Sequence, residues 1–109
     1  MISSTRGDST PLFGKRLREA RELAGIAQDK LGVLIGLDES SSSARISRYE
    51  TGVHEPPVRT AKQIAAALKV PLAFLYCDDD VLAAILLQAH RMSKEKRRAL
   101  LASLQSSNG

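Results

Sequence analysis

Residues 44–52 read Ala44-Arg45-Ile46-Ser47-Arg48-Tyr49-Glu50-Thr51-Gly52, and the rest of the chain makes sense around them. Ile46 and Tyr49 stand three apart, so on a helix they share one face. Ser43, Ala44, Ser47 and Arg48 fall on the opposite, wetter face. Small hydroxyls beside two arginines suit a polar groove, and Gly52 fits the left-handed residue that closes a helix. A helix this short and this weakly apolar does not stand alone in water. Other helices must carry it and hold its polar face out to a partner.

Around it, further words keep fixed distances. Upstream lies Gln28-x-x-Leu31-Gly32-x-x-x-Gly36-Leu37; downstream lie Pro56 and then Ile64-Ala65-x-x-Leu68-x-Val70. Together with Ile46-Ser47-Arg48-Tyr49-Glu50-x-Gly52 they resemble, from about residue 11 to about residue 76, the phage repressor/Cro-type helix-turn-helix proteins of the xenobiotic-response-element family. The resemblance implies an all-α, five-helix repressor-like domain whose third helix lies in the major groove of DNA. It implies DNA contacts at Gln28, Ser42, Ser43, Ala44, Arg45, Ser47, Arg48 and Thr51, with Gln28 on a phosphate. It also implies a structural pair between Arg21 of helix one and Glu50 of helix three. At Gly32 that family usually has alanine, because the next helix crosses close by. Glycine meets the same demand at a cost of about 1 kcal/mol in helix stability.

The chain departs from that pattern at one place. Eight residues separate Leu37 from Ile46, about four more than the family usually has, or close to one helical turn of about 3.6 residues. Either helix three starts a turn earlier, capped by Asp38, or the turn becomes a polar loop. Ser40-Ser41-Ser42-Ser43 is a poor helix interior and a good source of caps. The expectation is therefore a longer loop, with a reading helix over about residues 41–51. Asp38 and Glu39 add negative charge beside the surface expected to meet phosphates.

Outward from this core, Thr10-Pro11 reads as a helix start. Phe13, Leu17, Ala20 and Ala24 form the inward stripe of helix one, with Lys15, Arg16, Arg18, Glu19 and Glu22 off it and Gly25 as its stop. Helix two runs from Ala27 to Ile35 with Leu31, Leu34 and Ile35 inward. After His54-Glu55-Pro56-Pro57, helix four (Val58 to Lys69) turns Val58, Ala61, Ile64, Ala65 and Leu68 inward. Leu72 to Tyr76 is a short fifth helix that brings Phe74 and Leu75 to the core. Asp78-Asp79-Asp80 then caps a sixth helix to about Arg91, with Val81, Leu82, Ile85, Leu86 and Ala89 on a broad apolar face. Ser93 caps a seventh, from Lys94 to about Gln105, with Leu100, Leu101 and Leu104 apolar. The expected organisation is a disordered tail (1–9), the helix-turn-helix domain (10–77), a two-helix appendage for packing or dimerisation (78–105) and a second tail (106–109).

The formal net charge is +4, but its location matters more than its size. From Leu12 to Pro57 basic and acidic residues balance at seven each; the excess sits in Arg91, Lys94, Lys96, Arg97 and Arg98, which face only Glu95. DNA binding must therefore rest on a few well-aimed groups. The basic cluster opposes the dipole at the start of its own helix; phosphate, Asp78 to Asp80, or water must receive it.

Other classes fit poorly. Cys77 has no second cysteine to pair with, and three aspartates beside it deny the electropositive surroundings of a reactive thiolate. Two histidines and one cysteine make no zinc ligand set, no glycine-rich phosphate loop appears, and the serine run has no nucleophile-elbow frame. No enzyme activity, metal or cofactor is expected. No apolar run approaches the ~20 residues that cross a bilayer, and the first residues lack the apolar centre of a signal peptide, so the reading is cytoplasmic. The 33 residues after Tyr76 are too few for a small-molecule domain. The expected function is sequence-specific binding of double-stranded DNA by a small transcriptional regulator acting as a homodimer. The rival is a protein-interaction module, an antitoxin or adaptor whose helix bundle binds a protein partner.

Overall fold

Leu17, Leu31, Ile46, Ile64 and Leu75 come from five successive helical segments, and all five are fully buried in one apolar cluster. A computed structural model describes residues 11–108; the tail expected over residues 1–9, the Thr10 cap and Gly109 lie outside the described residues. The helices are α1 (Leu12–Ala24), α2 (Gln28–Leu34), α3 (Glu39–Thr51), α4 (Val58–Leu68), a 3-10 helix (Leu72–Tyr76), α5 (Asp80–Arg91) and α6 (Lys94–Asn108). No strand occurs among the described residues. Fully burying each such aliphatic side chain is worth about 1.5–3 kcal/mol, and Phe13, Tyr49 and Phe74 add their rings to the same cluster. The all-α, repressor-like architecture follows the spacing of these residues.

Several inward residues differ from expectation. On α2 the buried arc is Leu31 with Gly32, and Ile35 just past the helix packs against the same cluster. Gly32 lies about 100° round from Leu31, so the arc turns toward α3 and leaves Leu34 exposed. Val58, the first residue of α4, is exposed too, and so is Ala24 at the end of α1. Pro11 precedes α1 instead of opening it.

The largest correction concerns the serine run. Helix α3 starts at Glu39, with Asp38 as the residue before it, so the extra residues form a helical turn and not a loop. Tertiary packing overrides the low helix propensity of serine here. Ser40 Oγ donates to the Asp38 carboxylate, and Ser41 N and Oγ both donate to the Asp38 carbonyl, at 3.0 and 3.3 Å. Ser42 is fully buried, and its Oγ donates to the Asp29 carbonyl of α2 at 2.5 Å.

Two glycines let α3 lie this close to its supports. A Cβ on Gly32 would stand 1.8 Å from Ser42 Oγ and 2.7 Å from Ser42 Cβ. On the other side, a Cβ on Gly14 of α1 would stand 2.1 Å from the Glu50 carbonyl oxygen and 2.9 Å from that of Tyr49. The obstacle at Gly32 is a side chain, whereas at Gly14 it is backbone.

Beyond the bundle, α5 is anchored by one side chain. Arg16 is only 3% exposed. Its Nε donates to the Cys77 carbonyl at 2.8 Å, Nη1 to Glu19 at 2.9 Å and Nη2 to Asp80 at 2.9 Å, and its guanidinium lies 5.6 Å from the centre of the Phe74 ring. Burial alone pulls this guanidinium down, but the hydrogen bonds and charges of Glu19 and Asp80 together hold it above its ordinary value. In return the Arg16 hydrogen bond, reinforced by Lys15, keeps the Asp80 carboxyl below the usual carboxylate range. Ala83 is buried on the bundle, with Leu86 and Leu87 half-buried beside it. Asp79 caps α5 by accepting from Leu82 N at 2.8 Å. Helix α6 buries no residue and runs to Asn108, three residues past its expected end at Gln105. The radius of gyration, 15.7 Å, exceeds the about 13 Å of a compact chain of this size, as a projecting arm requires.

Gly14→Ala is expected to lose at least the 1–3 kcal/mol typical of overpacking, because backbone cannot step aside. Gly32→Ala should lose about 1–3 kcal/mol, part of which Gly32→Ala/Ser42→Gly recovers by removing the side chain in the way. Urea unfolding checks both. The account fails if either single variant gains the stability, up to about 1 kcal/mol, that alanine ordinarily adds to a helix.

Candidate nucleic-acid interface

Glu50 fixes the direction in which α3 presents its outer face. Its carboxylate is only 4% exposed and accepts Arg21 Nε at 2.5 Å and Arg21 Nη2 at 3.3 Å. Gln28 Nε2 from the start of α2 adds a third donor at 3.0 Å. Arg21 also donates through Nη1 to the Ile26 carbonyl at 3.0 Å, so it ties together α1, the α1–α2 turn and α3. The hydrogen bond to Glu50 outweighs the opposing effect of burial and holds the Arg21 guanidinium above its ordinary value. The expected structural pair is thus present, as a buried carboxylate with three donors around it.

With Ile46, Tyr49, Ser42 and Glu50 turned inward, the opposite side of α3 carries Ser40, Ser41, Ala44, Arg45, Arg48 and Thr51, all exposed, with Ser43 and the half-buried Ser47 along its edge. This surface is low where Ala44 sits, and Arg45 and Arg48 rise beside it. Thr51 Oγ1 donates back to the Ser47 carbonyl at 3.0 Å. The thirteen residues of α3 span about 20 Å, and a groove about 12 Å wide has room for a helix with so slim a face. At its start the surface turns acidic, with Asp38 and Glu39 beside Asp29 and Lys30 of α2 and the apolar Val33 and Leu37.

Of the site residues expected from sequence, Ser43, Ala44, Arg45, Ser47, Arg48 and Thr51 share this face or its edge. Ser42 does not, contrary to expectation: it is an interior residue of the α2–α3 contact. Four identical serines in a row hide which one falls in phase with Ile46, and four residues before Ile46 is the inward phase. Gln28 is half-buried; besides Glu50 it meets Ser43, whose Oγ donates to Gln28 Oε1 at 3.4 Å. Its amide therefore braces the outer face of α3 from behind.

Gly14 sets how near α3 lies to α1, and Arg16 fastens α5 to the bundle; sequence spacing marks neither of them. A glycine inside an amphipathic helix leaves no periodic trace, and the carbonyl and carboxylate that bury Arg16 lie 61 and 64 residues away. Among the described residues no group of three or more His, Cys, Asp or Glu side chains is placed to hold a metal ion. No described helix is long and apolar enough to cross a membrane.

Comparison with known proteins gives two findings. A helix-turn-helix family model matches residues 17–75, just over half of the chain. Among solved structures, "Crystal structure of transcriptional regulator BswR" is similar to this chain with a TM-score of 0.81 and 42% identity, covering 85% of this chain and 92% of the other. That coverage extends past the residues of the family model. No curated protein matches the chain.

Because Glu50 is buried with its charge, Arg21→Ala is expected to destabilise by about 3–5 kcal/mol, the range for stripping one partner from a buried ion pair. Glu50→Ala should cost less, since Arg21 is 13% exposed and keeps the Ile26 carbonyl. The double variant is expected to lose less than the two singles together. Chemical unfolding of all three decides it, and additive losses would mean no energetic pairing.

Proposed function

The chain belongs to the helix-turn-helix family of phage repressor/Cro type, and from that premise we propose that it is a transcriptional regulator binding double-stranded DNA sequence-specifically. The observation that carries the reading is the outer face of α3, small at Ala44 with Arg45 and Arg48 beside it, held outward by the buried Glu50. Helix α3 enters the major groove; Ser43, Ala44, Arg45, Ser47, Arg48 and Thr51 meet bases and backbone. Phosphates repel Asp38 and Glu39, so contact is weighted toward the second half of the helix, from Arg45 onward.

A homodimer completes this reading. Val81, Leu82 and Ile85 of α5 and Leu101 and Leu104 of α6 stand about half exposed or more. Covering the open half of each, on two copies, contributes on the order of 8–15 kcal/mol. That offsets an association cost of about 4–15 kcal/mol. Two copies related by a two-fold axis present two reading helices to half-sites about 34 Å apart. The same exposed apolar residues favour the second reading, an antitoxin or adaptor whose helices bind a different protein. DNA retention at two salt concentrations separates the readings, because phosphate contacts produce a steep salt slope and an adaptor has none.

Arg48→Ala is expected to weaken binding to a site selected from random DNA by roughly 1–3 kcal/mol while leaving the melting temperature in place. Ser42→Ala should do the reverse, moving stability more than base preference. Equal affinity of Arg48→Ala and the parent for the selected site counts against the reading. For the dimer, sedimentation of the full chain is expected to give two copies at tens of micromolar, and Ile85→Glu with Leu101→Glu a monomer whose bundle still unfolds cooperatively. A parent chain that sediments as a monomer removes the dimer.

A further inference from the structure

The arm formed by α5 and α6 is polarised along its length. At its start stand Asp78, Asp79 and Asp80; at its elbow stand Arg91, Lys94, Lys96, Arg97 and Arg98 with Glu95 alone against them. Some of these charges are occupied. Asp79 caps α5, and Asp80 is held by Arg16 with Lys15 at 3.9 Å. Arg97 donates through Nε to the Ala89 carbonyl at 2.9 Å and through Nη2 to the His90 carbonyl at 3.1 Å, which fixes the elbow. Asp78, Lys94 and Arg98 have no ion-pair partner among the described residues.

Between the two charged ends runs the exposed strip of Val81, Leu82 and Ile85, on the side of α5 away from the buried Ala83. Arg98 precedes Leu101 by three positions and so shares its face of α6. Helix α6 buries nothing on its own bundle, and an isolated helix of this length is marginal in water. Its regular course calls for a partner.

The direction of that partner follows from the charges. Twelve residues of α5 span about 18 Å, about twice the ~8 Å over which salt screens charges at physiological strength. The two ends of the strip therefore act separately. Two copies laid parallel would set acid on acid and base on base. Laid antiparallel, each acidic start meets the other copy's basic elbow. We infer that a second copy covers this strip with its own in antiparallel orientation, Asp78 of each copy facing Lys94 and Arg98 of the other. The inference rests on the homodimer reading above and adds its direction.

Charge reversal in the full-length protein tests it. Asp78→Lys and Arg98→Glu are each expected to weaken self-association about tenfold at low salt, with the effect shrinking as salt rises. An equimolar mixture of the two single variants pairs opposite charges at positions 78 and 98 in both directions and should associate more tightly than either variant alone, as should the double variant. Sedimentation over a concentration series, with helix content followed by circular dichroism, provides the readout; Arg98→Glu lies on an exposed helix and keeps the test open if Asp78→Lys folds poorly. A parent chain that is monomeric overturns the dimer itself. A dimeric parent whose single variants associate unchanged overturns the antiparallel arrangement alone. So does Arg98→Glu losing DNA retention with its dimer intact, which would make the elbow a phosphate contact.

Discussion

Glu50 is held by α1 twice over. Its carbonyl oxygen occupies the space a Cβ on Gly14 would need, and its carboxylate accepts the Arg21 guanidinium. A buried ion pair adds little net stability over well-packed apolar residues, but this one carries geometric information. Backbone contact fixes how near α3 lies to α1, and the carboxylate fixes its rotation about its own axis. Once both are met, the outward direction of Ala44 and Arg48 is settled, and the braces from Gln28 and Ser42 follow.

The same turn of helix works for folding and against binding. Asp38 and Glu39 sit where the positive end of α3 favours negative charge, and Asp38 gathers the hydroxyls that a serine run would otherwise turn against the helix. Those acids then stand at the mouth of the surface proposed to meet polyphosphate. On that proposal Arg45 and Arg48, about 1.7 and 2.5 turns beyond Glu39, supply attraction without help from the helix start. A chain with the shorter turn would place its N-cap and its first contacts at the same point; here they are pulled apart.

Much of this is legible in the residues. Apolar spacing locates five helices and most of the core, because that pattern reports burial directly. The Arg21–Glu50 pair comes through the family resemblance, and Gly25 and Gly52 stop their helices as expected, both at positive φ. What escapes depends on partners distant in sequence. Arg16 reads as a wet residue until the Cys77 carbonyl and Asp80 are brought over it. Ser42 is indistinguishable from its neighbours until Gly32 supplies a hollow. Serine's propensity alone makes the extra turn a loop; burial of Ser42 against α2 makes it a helix instead.

Arg16 shows how form can outrank charge at a single position. Three of its nitrogens face three different acceptors, on the backbone of Cys77, on Glu19 and on Asp80, while its flat face lies toward Phe74. A lysine would preserve the positive charge but gather its donors on one nitrogen, which lacks the fork that reaches Cys77, Glu19 and Asp80 together. By net charge the exchange is silent; by geometry it unfastens the arm. The position is thus closed to the substitution that composition-level comparison treats as most conservative.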